Sequence, residues 1–392
     1  MNIDWLNWEW IYANKDWLFS GVGLSVIGIA FSAFGFAFLL YRMHRQHQQT
    51  IVTQHHSKWL LISLFVVSVI GCTPSPQELE LVSEAESLAA NGKLKMTQLA
   101  YQEAGEYYEK AAKLLPAGND EVLADYLSDA GTAFYYAGLY KQSLSLHEKA
   151  LAIREEIFDS EHPDVALSLN ELALLYKTQG NYDQAKPLYE RALAIKEKVF
   201  GKDHPDVASS LNNLAALHYS QGEYDEAKPL YERALAIDEK VYGPNHPDVA
   251  IDLNNLAALH YSQGEYDEAK PLYERSLAIY EKVHGPEHPS VATSLNNLAE
   301  LHKAQGHYDQ AKPLYERSLA ILEKVYGKEH PSVATSLNNL AMLYEAQGEY
   351  EKAKPLYERS LKIFKQFLGD DHPNVQTVTN NYNRLLSKMA KQ

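Results

Sequence analysis

Along most of this chain the apolar residues fall at helical spacing, in one arrangement that returns many times. In residues 206–220, Leu211, Leu214, Ala215 and Leu217 stand at i, i+3, i+4 and i+6, which places them on one face of a helix. Gln221-Gly222 ends that run, glycine being the residue that closes a helix in the left-handed conformation. A second amphipathic run covers residues 224–241, with Ala227, Leu230, Tyr231, Ala234, Leu235 and Ile237 on one face. The loop Tyr242-Gly243-Pro244-Asn245-His246-Pro247 then resets the chain, and the pattern starts again after 42 residues. A fixed period of this size predicts a stack of helix pairs, in which each pair buries its apolar face only against its neighbours.

The period is marked by His-Pro, at His162-Pro163, His204-Pro205, His246-Pro247, His288-Pro289, His330-Pro331 and His372-Pro373. Proline suits the first position of a helix, where its missing N–H would be unpaired anyway, and Asp248 complements the positive helix end. The histidines recur once per unit and so form a row rather than a cluster. That predicts a capping role and no metal site. Five full units span 162–203, 204–245, 246–287, 288–329 and 330–371. Looser pairs precede them within 77–161, and a capping helix occupies 372–388 of the terminal stretch 372–392. Degenerate ends are expected where a terminal unit must cover an apolar face.

These units resemble tetratricopeptide repeats. Leu211, Leu214, Ala215 and His218 in the first helix, then Gly222, Tyr224, Ala227, Tyr231 and Ala234, match the spaced positions of that pattern. The long unit, with LNNLA and YERAL, is similar to the repeats of kinesin light chains. The resemblance implies an all-α, right-handed superhelical solenoid of helix-turn-helix repeats whose first helices line a concave groove. It further implies that groove residues contact a protein or peptide partner. Carried over position by position, the first Asn of LNNLA is such a residue: Asn170, Asn212, Asn254, Asn296, Asn338 and Asn380. An amide offers donors and an acceptor, so a ladder of them suits an extended peptide. The same residues could instead bond to the adjacent helix and hold the stack. For the second Asn (Asn213, Asn255, Asn297 and Asn339) a structural role is favoured. Selectivity is expected at the varying positions Lys177, Tyr219, Tyr261, Lys303 and Glu345.

The N-terminal region departs from the pattern. Trp17 to Tyr41 is a run of 25 residues without a charge, long enough to cross a hydrocarbon layer of about 30 Å. Arg42, Arg45 and Lys58 follow it, which predicts a cytoplasmic position for that connecting segment. A second apolar run, residues 59–71, ends at Cys72. The tetrad Val69-Ile70-Gly71-Cys72 resembles the lipobox of bacterial lipoproteins, with Val69 where Leu is usual and Ile70 where a small residue is usual. The resemblance implies lipidation of Cys72, with Met43 as an alternative start. A second membrane span with unmodified Cys72 and a non-spanning segment are the other readings. The first two place the repeats outside the cytoplasmic membrane, in the periplasm, and make residues 1–72 a membrane anchor followed by a linker at 73–76. The third leaves a cytoplasm-facing signalling scaffold.

Charge and chemistry narrow the function further. The net charge is −15; residues 1–72 carry four Lys/Arg against three Asp/Glu, so the remainder of the chain carries −16. An acidic surface repels phosphate backbones, so nucleic acid is not an expected partner. A lone cysteine rules out a disulfide framework. The chain has no Gly-rich phosphate loop, no HExxH and no Gly-x-Ser-x-Gly. The expectation is therefore a binding scaffold without cofactor or metal, not an enzyme. A solenoid that assembles with itself is the alternative.

Overall fold

The structure is a computed structural model that describes residues 75–391. Among these residues all regular structure is helical, in fifteen α-helices. In chain order they are α1 Pro76–Thr97, α2 Tyr101–Leu114, α3 Asp120–Tyr136, α4 Tyr140–Ile157 and α5 Pro163–Thr178. Next come α6 Tyr182–Phe200, α7 Pro205–Gln221, α8 Tyr224–Tyr242, α9 Pro247–Ser262 and α10 Tyr266–His284. The series ends with α11 Pro289–Ala304, α12 Tyr308–Tyr326, α13 Pro331–Ala346, α14 Tyr350–Leu368 and α15 Pro373–Met389. The apolar segments 17–41 and 59–71 and Cys72 lie outside the described residues. Among the described residues no helix is long and apolar enough to cross a membrane.

Odd-numbered helices are the first of each pair (A) and even-numbered ones the second (B). Each helix packs mainly on its neighbours in sequence, forming a solenoid. Successive A helices from α3 to α9 and from α11 to α15 also approach one another directly, whereas no two B helices make a comparable approach. The A helices therefore occupy the tighter, inner side of the stack. Alanine makes this packing possible. Ala208, Ala215, Ala227 and Ala234 in one unit are all 0% exposed, as are their equivalents Ala250, Ala257 and Ala269 in the next. Between them Leu211, Leu217, Leu253 and Leu259 are fully buried, and Tyr231 and Tyr273 fill the space beside the turn. Burial drives the Tyr231 and Tyr273 hydroxyls well above the usual phenol range.

The His-Pro pairs are helix N-caps. In each, the His Nδ1 accepts a hydrogen bond from the backbone N–H two residues on, at 3.2 Å for His162, 3.1 Å for His204 and 3.3 Å for His246. His288, His330 and His372 repeat it at 3.2, 3.0 and 3.2 Å. The proline follows at the first helical position in every case. An imidazole can accept at Nδ1 only while that nitrogen is unprotonated, so the cap requires the neutral ring. Each of the first five rings also stacks on the aromatic residue that ends, or for Phe158 directly follows, the preceding B helix. Centroid separations are 4.1 Å for Phe158–His162, 4.7 Å for Phe200–His204 and 4.2 Å for Tyr242–His246. They are 4.4 Å for His284–His288 and 4.3 Å for Tyr326–His330. The same side chain thus ends one repeat and starts the next.

An arginine ladder ties consecutive B helices together. Arg191, Arg233, Arg275, Arg317 and Arg359 reach back to Glu155, Glu197, Glu239, Glu281 and Glu323 at 2.6–2.7 Å. Each also donates to a loop carbonyl of the preceding repeat, at 2.8–3.3 Å. These pairs are partly exposed, and exposed ion pairs contribute only about 0.2–1 kcal/mol each. Their geometric effect is to hold the repeat-to-repeat register on the outer side, where the B helices do not pack closely.

Leu253→Ala is expected to remove a fully buried side chain and destabilise the stack by about 2–5 kcal/mol. Asn213→Ala, at an exposed position, should stay within about 0.5 kcal/mol. Urea melts followed by far-UV circular dichroism check the pair.

Candidate functional site

The inner face is built from the sides of the A helices that no B helix covers. On helix α5 these are Leu167, Leu174 and Thr178, at i, i+7 and i+11, with Glu171 between them turned to His147 of α4 at 3.3 Å, and on α7 they are Ser209, Asn213, Ala216 and Ser220. The series continues on α9 with Ile251, Asn255, Ala258 and Ser262. Leu167 and Ile251 are each 47% exposed although large and apolar, and Leu174 is also exposed. A large apolar side chain left open on the inner side of a stack marks a surface for contact.

Alongside this stripe runs a polar seam where one A helix meets the next. Ser128 donates to Glu171 Oε2 at 2.6 Å, and the Tyr219 hydroxyl meets Ser262 Oγ at 2.5 Å. Asn212 Nδ2 donates to Asp252 Oδ1 at 2.6 Å. Further along, Asn339 Nδ2 donates to Asn296 Oδ1 at 3.2 Å and Asn381 Nδ2 to Asn338 Oδ1 at 3.0 Å. The amides singled out from the sequence therefore occupy several environments. Asn254 turns to its own repeat and donates to Ser276 Oγ at 2.7 Å. Asn338 donates to Asn339 Oδ1 at 3.1 Å. Asn380 is exposed on the terminal helix. The amide oxygens of Asn170, Asn212 and Asn254 are buried and accept no hydrogen bond among the described residues.

The selectivity positions are brought together in part. Tyr261 donates to Glu300 Oε1 at 3.4 Å, Lys303 pairs with the same carboxylate at 2.6 Å, and Tyr315 donates to its Oε2 at 2.6 Å. Burial, helped by the Glu300 charge, pushes the Tyr261 hydroxyl up to about 12. Lys177 differs. Burial lowers its ammonium below the usual lysine range, and no carboxylate among the described residues forms an ion pair with it. Glu345 is buried and receives Arg384 at 2.9 and 3.0 Å, Lys388 at 2.9 Å and the Tyr357 hydroxyl at 2.9 Å. Burial alone would raise Glu345, but these hydrogen bonds outweigh it and hold the carboxyl down to about 2.

The two ends of the inner face differ in charge. At the first end Asp125, Asp129 and Glu171 gather, and burial with the nearby Asp125 and Glu171 charges pushes Asp129 up to about 6. At the last end Arg384 and Lys388 surround the single carboxylate of Glu345. The middle, from Asn213 to Asn297, carries amides, hydroxyls and alanines.

One junction breaks the repeat. Asp252 is 1% exposed and stands where the other full units have Ser168, Ser210, Ser294 and Ser336. Asp238, 5% exposed, faces it from the preceding B helix at a position otherwise held by Lys196, Tyr280, Leu322 and Phe364. Burial is the main cause that raises both carboxyls; the Asp248 charge adds to it at Asp238, and Asp238 adds to it at Asp252, where the Asn212 hydrogen bond opposes it. Two buried acids in contact share a proton rather than ionise together. Sequence reading missed this pair, together with Glu300; the Asn339–Asn296 bond is of the kind expected where asparagines bond to the adjacent helix. The available signal was departure from the column consensus, as at Asp252 and Glu300. Among the described residues no group of three or more His, Cys, Asp or Glu side chains is arranged to hold a metal ion.

Comparison with known proteins agrees with the stack. A tetratricopeptide repeat profile matches residues 122–198, 164–240, 206–282, 253–324, 308–366 and 332–391, which together make up well over half of the chain. No curated protein sequence matches. Among solved structures, a putative kinesin light chain with nearly identical repeats from Podosopora anserina is 33% identical over 53% of this chain and 98% of its own, with a TM-score of 0.44. Aspartyl phosphate phosphatase F from Bacillus subtilis is 16% identical over 92% of this chain and 88% of its own, with a TM-score of 0.57. The Rap conjugation regulator of plasmid pLS20, solved with the Phr* peptide, is 18% identical over 74% of this chain and 75% of its own, with a TM-score of 0.52. At such identities the last two share the fold alone.

The acid pair predicts a pH dependence. A carboxyl raised above its unfolded value contributes stability at low pH that is lost as pH rises through the folded value. Asp252→Ser, which restores the common residue, should therefore gain thermal stability over the wild type at pH 8 and show a smaller gain or none at pH 5. Parallel melts at the two pH values check this.

Proposed function

Because the chain belongs to the tetratricopeptide repeat family, whose solenoids typically serve as protein–protein interaction scaffolds, we propose that its inner face binds an extended segment of another protein. The observation that carries this reading is the open stripe along the A helices. It carries exposed apolar side chains, Leu167, Leu174 and Ile251, in two of the units and the amides of Asn213, Asn255 and Asn297 in successive ones. An extended backbone presents N–H and C=O groups in alternation, and a ladder of amides can bond to either. Asn213, Asn255 and Asn297 form the open part of that ladder. Behind it Asn212, Asn296 and Asn338 bond across the seam to Asp252, Asn339 and Asn381 and hold the A helices in register.

Selectivity in this reading comes from the ends and from Lys177. An unpaired, half-buried ammonium favours an anionic group as partner, since binding restores the counter-charge it lacks. Tyr219 and Tyr261, in the next two units, offer ring faces beside it. The amides of the middle read no side chain and suit any sequence.

The same reading places the scaffold at a membrane through residues 1–72. It rests on the sequence of that segment: an uncharged run long enough to span, the short apolar run before Cys72 and the lipobox-like tetrad. The solenoid would then face the periplasm. Mass spectrometry of the mature N-terminus is expected to find a diacylated Cys72. An unmodified cysteine on an intact residue 1–72 segment would reject the lipid anchor.

For the groove, peptides selected from a display library on the intact protein should lose affinity by tenfold or more in the triple variant Asn213→Ala, Asn255→Ala, Asn297→Ala, a loss of about 1.4 kcal/mol or more. Helicity should be unchanged. Full retention of binding by the triple variant would refute the assignment of the ligand to the inner face.

A further inference from the structure

The six His-Pro caps are alike in their own repeats but not in their surroundings. At the turn between α3 and α4, Gly138 has φ +75°, the left-handed conformation that glycine adopts without strain. The equivalent turn glycines are Gly180, Gly222, Gly264, Gly306 and Gly348, and a methyl group placed on any of them would meet nothing within 4 Å. On Gly138 it would stand 2.9 Å from Cδ2 of His372. The His372 ring is also hydrogen-bonded to the backbone of Tyr136, the last residue of α3. His372 caps α15, six repeats after the pair α3–α4.

We propose that His372 is a latch that closes one turn of the solenoid, seating the start of the last helix on the α3–α4 turn of the first full-length pair. The direction of the contact supports this. His-Pro lies at the end of the solenoid wall where A helices begin, and the A–B turns lie at the opposite end. Six repeats bring the first kind of edge onto the second, so each repeat turns the wall by about one sixth of a circle, as a stack of similar units must if it is to meet itself. Both ring nitrogens are used. Nδ1 accepts from Asn374 N–H at 3.2 Å, and the other nitrogen is left to donate to the Tyr136 carbonyl.

Among the described residues His372 also lacks the stacked aromatic partner of the other caps, because Leu368 stands at the end of α14 where Phe158 (just past α4), Phe200, Tyr242, His284 and Tyr326 stand at the ends of the earlier B helices. The edge of the ring lies over the glycine. A tyrosine cluster supports the receiving turn. Tyr136 stacks on Tyr101 at 5.4 Å and meets Tyr135 edge-on at 5.5 Å, and Tyr135 lies 5.7 Å from Tyr140. If the inner face binds an extended segment, as proposed above, the latch leaves the groove open along its axis and shut at the side.

The test uses the full chain and a carboxyl-to-amine cross-linker. Lys141 and Asp371 flank the two sides of the contact and are both exposed. A Lys141–Asp371 cross-link within one molecule is expected in the wild type, with a yield that does not change on dilution. It should be lost in His372→Ala and kept in His330→Ala, which loses the same kind of cap without touching the contact. Circular dichroism on both variants separates a lost latch from a lost helix. An absent cross-link in the wild type, or equal yields in the two variants, would overturn the proposal. Neither outcome depends on whether a peptide binds the inner face.

Discussion

Everything in this structure depends on how closely two helices can approach where alanine faces alanine. Ala208, Ala215, Ala227 and Ala234 leave no surface exposed, so the backbones of one pair come together and the larger Leu and Tyr side chains fill the spaces between. A single pair built this way would leave half of its apolar surface in water. Each unit is therefore stable only against the next, and stability, curvature and register are properties of the series. The ends show the cost of this arrangement. Arg384 and Lys388 on α15 cover the last inner surface by collecting on Glu345.

Two different devices control the two sides of the stack. Outside, long arginines reach across the gap between B helices and fix spacing without close packing. Inside, short amides and hydroxyls join A helices that almost touch. The difference in reach follows from curvature, since the outer side must span a longer arc for each repeat. It also explains why the inner face can carry a ligand. Its side chains are short, partly unpaired and repeated at a constant interval, while the outer side has committed its charges to itself.

The near-identity of the units makes their departures informative. Asp252 with Asp238 places two buried carboxyls in one junction, Glu300 gathers a lysine and two tyrosines, and Lys177 has no ion-pair partner among the described residues. Each substitution occurs on a scaffold that would fold without it. His372 departs in its setting alone. It performs the same capping as five other histidines, yet its ring lies over Gly138.

The sequence by itself determined the helices, their pairing and the period of the stack. Those features arise from local rules: apolar spacing of 3.6 residues, glycine to stop, proline to start. The caps at His162 through His372 were readable for that reason. Tertiary structure decided what depends on residues one or more units apart. It turned Asn212 toward Asp252 and Asn254 toward Ser276, although the two asparagines sit in nearly the same local sequence, because their neighbours across the seam differ. It also brought Arg233 to Glu197 and His372 to Gly138. No local pattern encodes these meetings, since they follow from a small rotation per repeat summed along the stack.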